Sequence, residues 1–96
     1  MYSVIETDRF SQWLESLRDR PTRVRLVRRL GKARRGILGD VKPVGEGVFE
    51  MREFFGPGWR MYYVEHAGAI IFMLGGGDKS SQAKDIERAI QLAKEL

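Results

Sequence analysis

Four side chains near the middle of the chain have the types and spacing to hold an anion. In the stretch FEMREFFGPGWRMYY, residues 49–63, Glu50 and Arg52 stand two apart, as do Arg60 and Tyr62, and Gly56-Pro57-Gly58 separates the pairs. Side chains alternate between the two faces of a strand. Read as strand, turn and strand, the stretch puts Glu50, Arg52, Arg60 and Tyr62 on one face. Phe49, Met51, Trp59, Met61 and Tyr63 fall on the other. The apolar set must meet the core, because a one-residue slip would bury the charges. The polar set is therefore expected on an open face of the sheet. A hairpin symmetric about Gly56 sets Arg52 opposite Arg60, and Glu50 opposite Tyr62. Like charges directly opposite one another destabilise a sheet. A bound anion between the two guanidiniums would offset that repulsion. Solvation, with Glu50 neutralising one arginine, would account for the same residues without a ligand.

Two further stretches carry charge in a pattern. GGGDKSS, residues 75–81, follows a strand-like run and precedes a helix-like one. It is not a Walker loop, which needs Gly where Asp78 stands, nor a G-x-G-x-x-G fingerprint, which needs Gly where Ser80 stands. An anion-binding helix start with Lys79 as the point charge remains, as does a plain turn with an N-cap. From Arg18 to Arg35 lie nine of the chain's 17 Lys and Arg residues, opposed only by Asp19. Neighbouring like charges on a helix repel. Arg25, Arg28, Arg29, Lys32 and Arg35 thus read as a face for a polyanion or an acidic partner.

The elements that must position these groups follow from periodicity. Ser3 to Glu6 reads as a short strand. Asp8 is a capping residue, and Phe10, Trp13, Leu14 and Leu17 form an apolar stripe at helical spacing. Pro21 suits the first turn of a second helix, capped by Asp19 or started through Thr22, and Gly36 is its stop. Leu26, Val27, Leu30 and Ala33 form that helix's buried side. From Gly39 onward, turn signals at Gly45-Glu46-Gly47, Gly56-Pro57-Gly58 and Ala67-Gly68 mark a four-stranded antiparallel meander. Ser80 or Ser81 then caps a last helix with Ala83, Ile86, Ala89, Ile90 and Ala93 on one side. The order β-α-α-β-β-β-β-α implies an α+β fold, an antiparallel sheet with helices packed on one face.

Composition sets the outer bounds. The 96 residues suffice for one domain, spanning 1–96, with a single modest core. Cysteine is absent and His66 is the lone histidine, so neither thiol chemistry nor a Cys/His metal centre is available. The longest apolar run, AGAIIFMLGGG, has 11 residues, against the roughly 20 needed to cross a bilayer. With Glu6 already charged, no signal peptide is expected, and the expected compartment is the cytoplasm. A net charge of +4 and a pI near 9.8 favour polyanionic partners.

Over nearly the whole chain, from Phe10 to Ala89, these residues resemble the RelE/ParE toxin superfamily, and specifically its phage-derived addiction module killer protein branch. The resemblance is carried by WLESLRD, by GKARRGILGDVKPVGEGV, by the hairpin FEMREFFGPGWRMYY and by GGGDKSSQAKDIERA. It implies the toxin of a type II toxin–antitoxin pair. The expected partners are a cognate antitoxin of the helix-turn-helix kind, with which it would form a hetero-oligomer on operator DNA, and mRNA on the ribosome. Ribosome-dependent mRNA endonuclease activity is the expected function, with ParE-like inhibition of DNA gyrase as the alternative. In the nuclease, a ribose 2′-OH attacks the adjacent phosphate without metal or cofactor. By resemblance, Arg60 contacts the scissile phosphate with Arg52 sharing the role, Glu50 is the base, and Tyr62 stacks or orients. Where many relatives carry Tyr or His after the last strand, this chain has GGGDKSS, with Lys79 or Asp78 as the available group. Arg25, Arg28, Arg29, Lys32 and Arg35 would bind ribosomal RNA.

Overall fold

Local capping chemistry defines the first two helices of the computed structural model, which describes residues 1–96. Helix α1 (Asp8–Ser16) starts at Thr7, whose Oγ1 accepts from Phe10 N at 3.3 Å and donates to Met73 O at 2.6 Å. The cap is thus one residue earlier than the expected Asp8, whose carboxylate instead sits in the first turn, where the helix dipole favours it. Helix α2 (Arg20–Arg34) is capped by Asp19, whose Oδ2 accepts from both Thr22 N and Thr22 Oγ1. Pro21 occupies its first turn, and Gly36 ends it with φ +86 and a bond from its N–H to Ala33 O.

Five strands follow the expected order around these helices: β1 (Ser3–Glu6), β2 (Val41–Gly45), β3 (Val48–Arg52), β4 (Arg60–His66) and β5 (Ile70–Gly77). They lie side by side as β1-β5-β4-β3-β2. Strands β2 to β5 form the antiparallel meander, and the β3–β4 register pairs Arg52 with Arg60 and Glu50 with Tyr62, as the symmetric hairpin requires. β1 departs from the antiparallel expectation. It pairs parallel with β5, Ser3 with Ile70 through Glu6 with Met73, so the sheet is mixed. A four-residue strand carries no pattern that reveals its partner's direction.

Helices α1 and α2 cover one face of this α+β sheet. Phe10, Leu14, Leu26, Leu30 and Ala33 meet Met51, Met61, Tyr63, Ile71 and Met73 in the larger core. The opposite face, expected to be open, is covered over β3 to β5 by α3 (Gln82–Lys94), where Ile86, Ala89, Ile90 and Ala93 pack on Val48, Tyr62 and Leu74. An extra residue in β5 helps seat α3: Tyr62 pairs with Gly75 and Tyr63 with Met73, leaving Leu74 bulged into this second core. A one-turn 3-10 helix (Lys79–Ser81) precedes α3. Ser81 occupies the N-cap position of α3, as expected, but its hydroxyl makes no cap bond and donates to Asp85, while Asp78 caps the short turn through Ser80 N.

The glycines that end β5 are set by close approach. A Cβ on Gly76 would lie 2.5 Å from the Trp13 ring, and one on Gly77 would strike the Asp85 carboxylate. A Cβ on Gly75 would meet nothing within 4 Å. Gly76→Ala should therefore lower unfolding free energy by about 1–3 kcal/mol through overpacking. Gly75→Ala should stay within about 0.5 kcal/mol of the parent. Urea unfolding of the two variants checks the contrast.

Candidate functional site

The residues picked out on β3 and β4 do come together, but beneath α3. Glu50 and Tyr62 are 0% exposed and Arg60 is 9% exposed. The Glu50 carboxylate lies between two partners: Oε2 accepts from Gln82 Nε2 at 2.9 Å, and Oε1 is 3.6 Å from Arg60 Nε. Arg60 also donates through Nη1 to Gly58 O at 2.6 Å. The turn makes this possible, since Gly58 adopts φ +82 and any Cβ there would crowd Arg60 Nη1 at 3.0 Å. Burial first, and the Glu50 charge second, push the Tyr62 phenol well above its ordinary range. The open-face expectation fails because the last helix carries enough apolar surface to cover Tyr62 and Val48, and Glu50 is buried with them.

The facing arginines are relieved by carboxylates of this chain. Arg52 turns away from Arg60 and takes Asp40 in two contacts of 3.1 Å, Nε to Oδ2 and Nη2 to Oδ1. That hydrogen bond raises the Arg52 pKa further. Its side chain also lies over the Phe54 ring. Arg52 and Arg60 are thus in register, yet each has its own acid, Asp40 and Glu50. Glu50 as the acid that meets one arginine follows from the spacing, whereas Asp40 does not, because it belongs to the chain before β2.

At its outer end the cluster does reach the surface. The Lys79 stem lies beside Gly58, whose carbonyl holds Arg60. Asp78 precedes it and accepts from Ser80 N at 2.8 Å and from Ser80 Oγ, both at Oδ1. These bonds first, with the Arg60 charge as a lesser cause, lower the Asp78 pKa and keep it a carboxylate. Arg60, Lys79 and Asp78 therefore converge, with Lys79 exposed and Asp78 half-buried.

The basic helix keeps most of its expected face. Arg28, Lys32 and Arg35 are exposed, and Arg25 stacks over Phe55 at 3.7 Å from the ring centroid. Arg29 does not belong to that face. It is 8% exposed and donates to Leu38 O, Asp40 O and Arg52 O, and it is ion-paired with Glu53. Val27, assigned to the buried side, is instead 47% exposed. The helix buries Arg29 in its place because a long stem can cross apolar surface while the guanidinium meets carbonyls. Gly39, at φ +72, lets that guanidinium within 3.2 Å of where a Cβ would stand.

Arg29→Ala should cost about 3–5 kcal/mol, since it strands Glu53 and three carbonyls. Arg28→Ala should stay within about 0.5 kcal/mol; chemical denaturation separates them. The tyrosines give a pH signature. Burial first pushes Tyr63 up to about 12, and Tyr62 and Tyr2 are raised as well. Unfolded phenols ionise near 10. The unfolded chain thus releases protons first as pH rises, so stability is full below about pH 10 and falls above it. Alkaline titration of phenolate absorbance should show little ionisation at pH 10 until the fold is lost.

No protein-family model matches the chain, and no solved structure matches it significantly. An uncharacterized protein of Haemophilus influenzae is 39% identical over 87 residues, covering 91% of this chain and 88% of that protein. At that identity and coverage, the chain belongs to the same family as the Haemophilus protein.

Proposed function

We propose that the protein is the toxin of a type II toxin–antitoxin pair and acts as a metal-free mRNA endonuclease on the ribosome. The observation that carries this reading is the convergence of Arg60, Lys79 and Asp78 at one end of the sheet. The resemblance of the chain to RelE-like toxins supplies the reaction class. Attack of a ribose 2′-OH on the adjacent phosphate forms a 2′,3′-cyclic phosphate and releases a 5′-OH. Asp78 Oδ2, left free by Ser80, accepts the 2′ proton. Arg60 and Lys79 face the charge that develops on phosphorus, and the Lys79 ammonium supplies the proton for the leaving oxygen. Glu50 touches no substrate here. It is a positioning residue that holds Arg60. Arg25, Arg28, Lys32 and Arg35 supply phosphate contacts to ribosomal RNA. Silencing is by an antitoxin, which would cover the same basic surfaces.

The burial of Glu50 and Tyr62 favours one other reading. A toxin of the same superfamily that inhibits gyrase by binding alone has no need for either group to reach a substrate.

Arg60→Ala is a poor test, because it leaves the buried Glu50 charge unmet at about 3–5 kcal/mol. Arg60→Lys and Lys79→Ala are the informative variants. Induction of the parent should arrest growth and create new mRNA 5′ ends within coding regions. Each variant, folded by circular dichroism, should lose about a hundredfold of that cleavage. Intact messages with halted replication would transfer the assignment to gyrase. Undiminished cleavage by both variants would remove the site.

A further inference from the structure

The edge of the sheet changes character partway along β5. β1 covers that edge only from Ile70 to Met73. Beyond it, alternate peptide groups of Gly75, Gly76 and Gly77 point away from β4 and meet no strand. A cleft of about 430 Å³ opens along this bare edge, between α1 and α3. That is within the usual range for small-ligand sites. Trp13 lies against Gly76 and forms one wall with Trp59, their ring centroids 6.4 Å apart. Arg9 from α1 and Arg88 from α3 stand at the rim, both exposed and neither ion-paired. Two carboxylates line the floor: Asp85 accepts from Ser81 Oγ at 2.5 Å, and Asp78 accepts from Ser80 through Oδ1 alone.

We infer that this cleft is a subsite for one unpaired nucleotide of a single-stranded RNA. A base has a π-face for the indoles and a polar edge for peptide groups, and a phosphate complements two unpaired guanidiniums. The glycines are what allow a flat ring to approach the backbone. An added peptide strand fits less well, because only three residues of edge are free between β1 and the end of β5, and α1 and α3 flank them. Asp78 lines the subsite, which therefore adjoins the end of the sheet that holds the proposed catalytic group. The inference rests on the proposed RNA substrate for the identity of the polymer, but the cleft's own chemistry is tested without cleavage.

Trp13 and Trp59 are the chain's two tryptophans, so their fluorescence reports on the cleft. Titration of the full chain with the four nucleoside 5′-monophosphates, and with an unstructured RNA trinucleotide, should give saturable quenching. Two variants probe the cleft, each first shown to keep the parent's circular dichroism and unfolding midpoint. Arg9→Ala/Arg88→Ala removes exposed charges, and Gly75→Leu fills the cleft from a position where a Cβ meets nothing. Each should weaken binding by about tenfold or more, while Lys42→Ala, exposed on β2 at the far edge of the sheet, leaves the monophosphate affinity unchanged. No quenching, or quenching equal in parent, charge and plug variants, overturns the inference. So does a response to an extended peptide but not to nucleotides, which would make the edge a strand acceptor. Growth arrest by the parent is scored separately. Nucleotide binding without toxicity retires the toxin reading and keeps the subsite, and toxicity without nucleotide binding does the reverse.

Discussion

A carboxylate with no exposed surface must have its charge met, and in this fold that demand falls on Glu50. Its two partners come from different elements: Arg60 from the adjacent strand and Gln82 from the first turn of α3. The contact therefore reports whether the last helix is seated on the sheet. It also explains the buried Arg60, whose remaining bond to Gly58 O depends on the left-handed turn of the hairpin. Hairpin, sheet and last helix share one ion pair, and removing any member leaves another unsatisfied. Buried pairs of this kind contribute little net stability compared with apolar replacements. What this one does is hold the Arg60 side chain between the hairpin turn and the sheet.

Arg29 plays the matching part on the other face. Its guanidinium gathers the carbonyls of Leu38, Asp40 and Arg52, tying α2 to the entry of β2 and the exit of β3. Asp40 is shared between the two systems. Its carbonyl accepts from Arg29 and its carboxylate holds Arg52. The two arginines in register across the hairpin are thus each met by an acid of this chain, Arg52 by Asp40 and Arg60 by Glu50. The intervening space needs no anion to be stable.

Most of the architecture was legible because local rules and burial agreed. The stripe Phe10–Leu14, the cap at Asp19, the stop at Gly36 and the register of Arg52 with Arg60 each follow from periodicity or turn chemistry. What failed were inferences about partners. Alternation correctly put Glu50 and Tyr62 on the face away from Met51 and Met61, but it cannot say whether a distant helix covers that face. The apolar side of α3 did say that it needed a surface, and the only uncovered one was theirs. Arg29 reads as solvated from its neighbours Arg25, Arg28 and Lys32, because its carbonyl acceptors come from distant parts of the chain. The Trp13–Gly76 contact had a legible half: three successive glycines in a strand imply close approach, though not by what.

The pairing of β1 with β5 also dictates how the chain can assemble. Ser3 must find Ile70, and Thr7 must find Met73, before the first strand has any partner at all. The hairpins of the meander close locally, but this junction encloses about two thirds of the 96 residues and carries a loop-closure entropy to match. Folding should therefore end with the capture of the N-terminal strand, a slow non-local step typical of high contact order. During synthesis, the larger core stays incomplete until β5 has left the ribosome. A nascent chain halted short of Met73 is a set of helices and hairpins without a closed sheet, so any activity of the finished fold is withheld until β5 has been made.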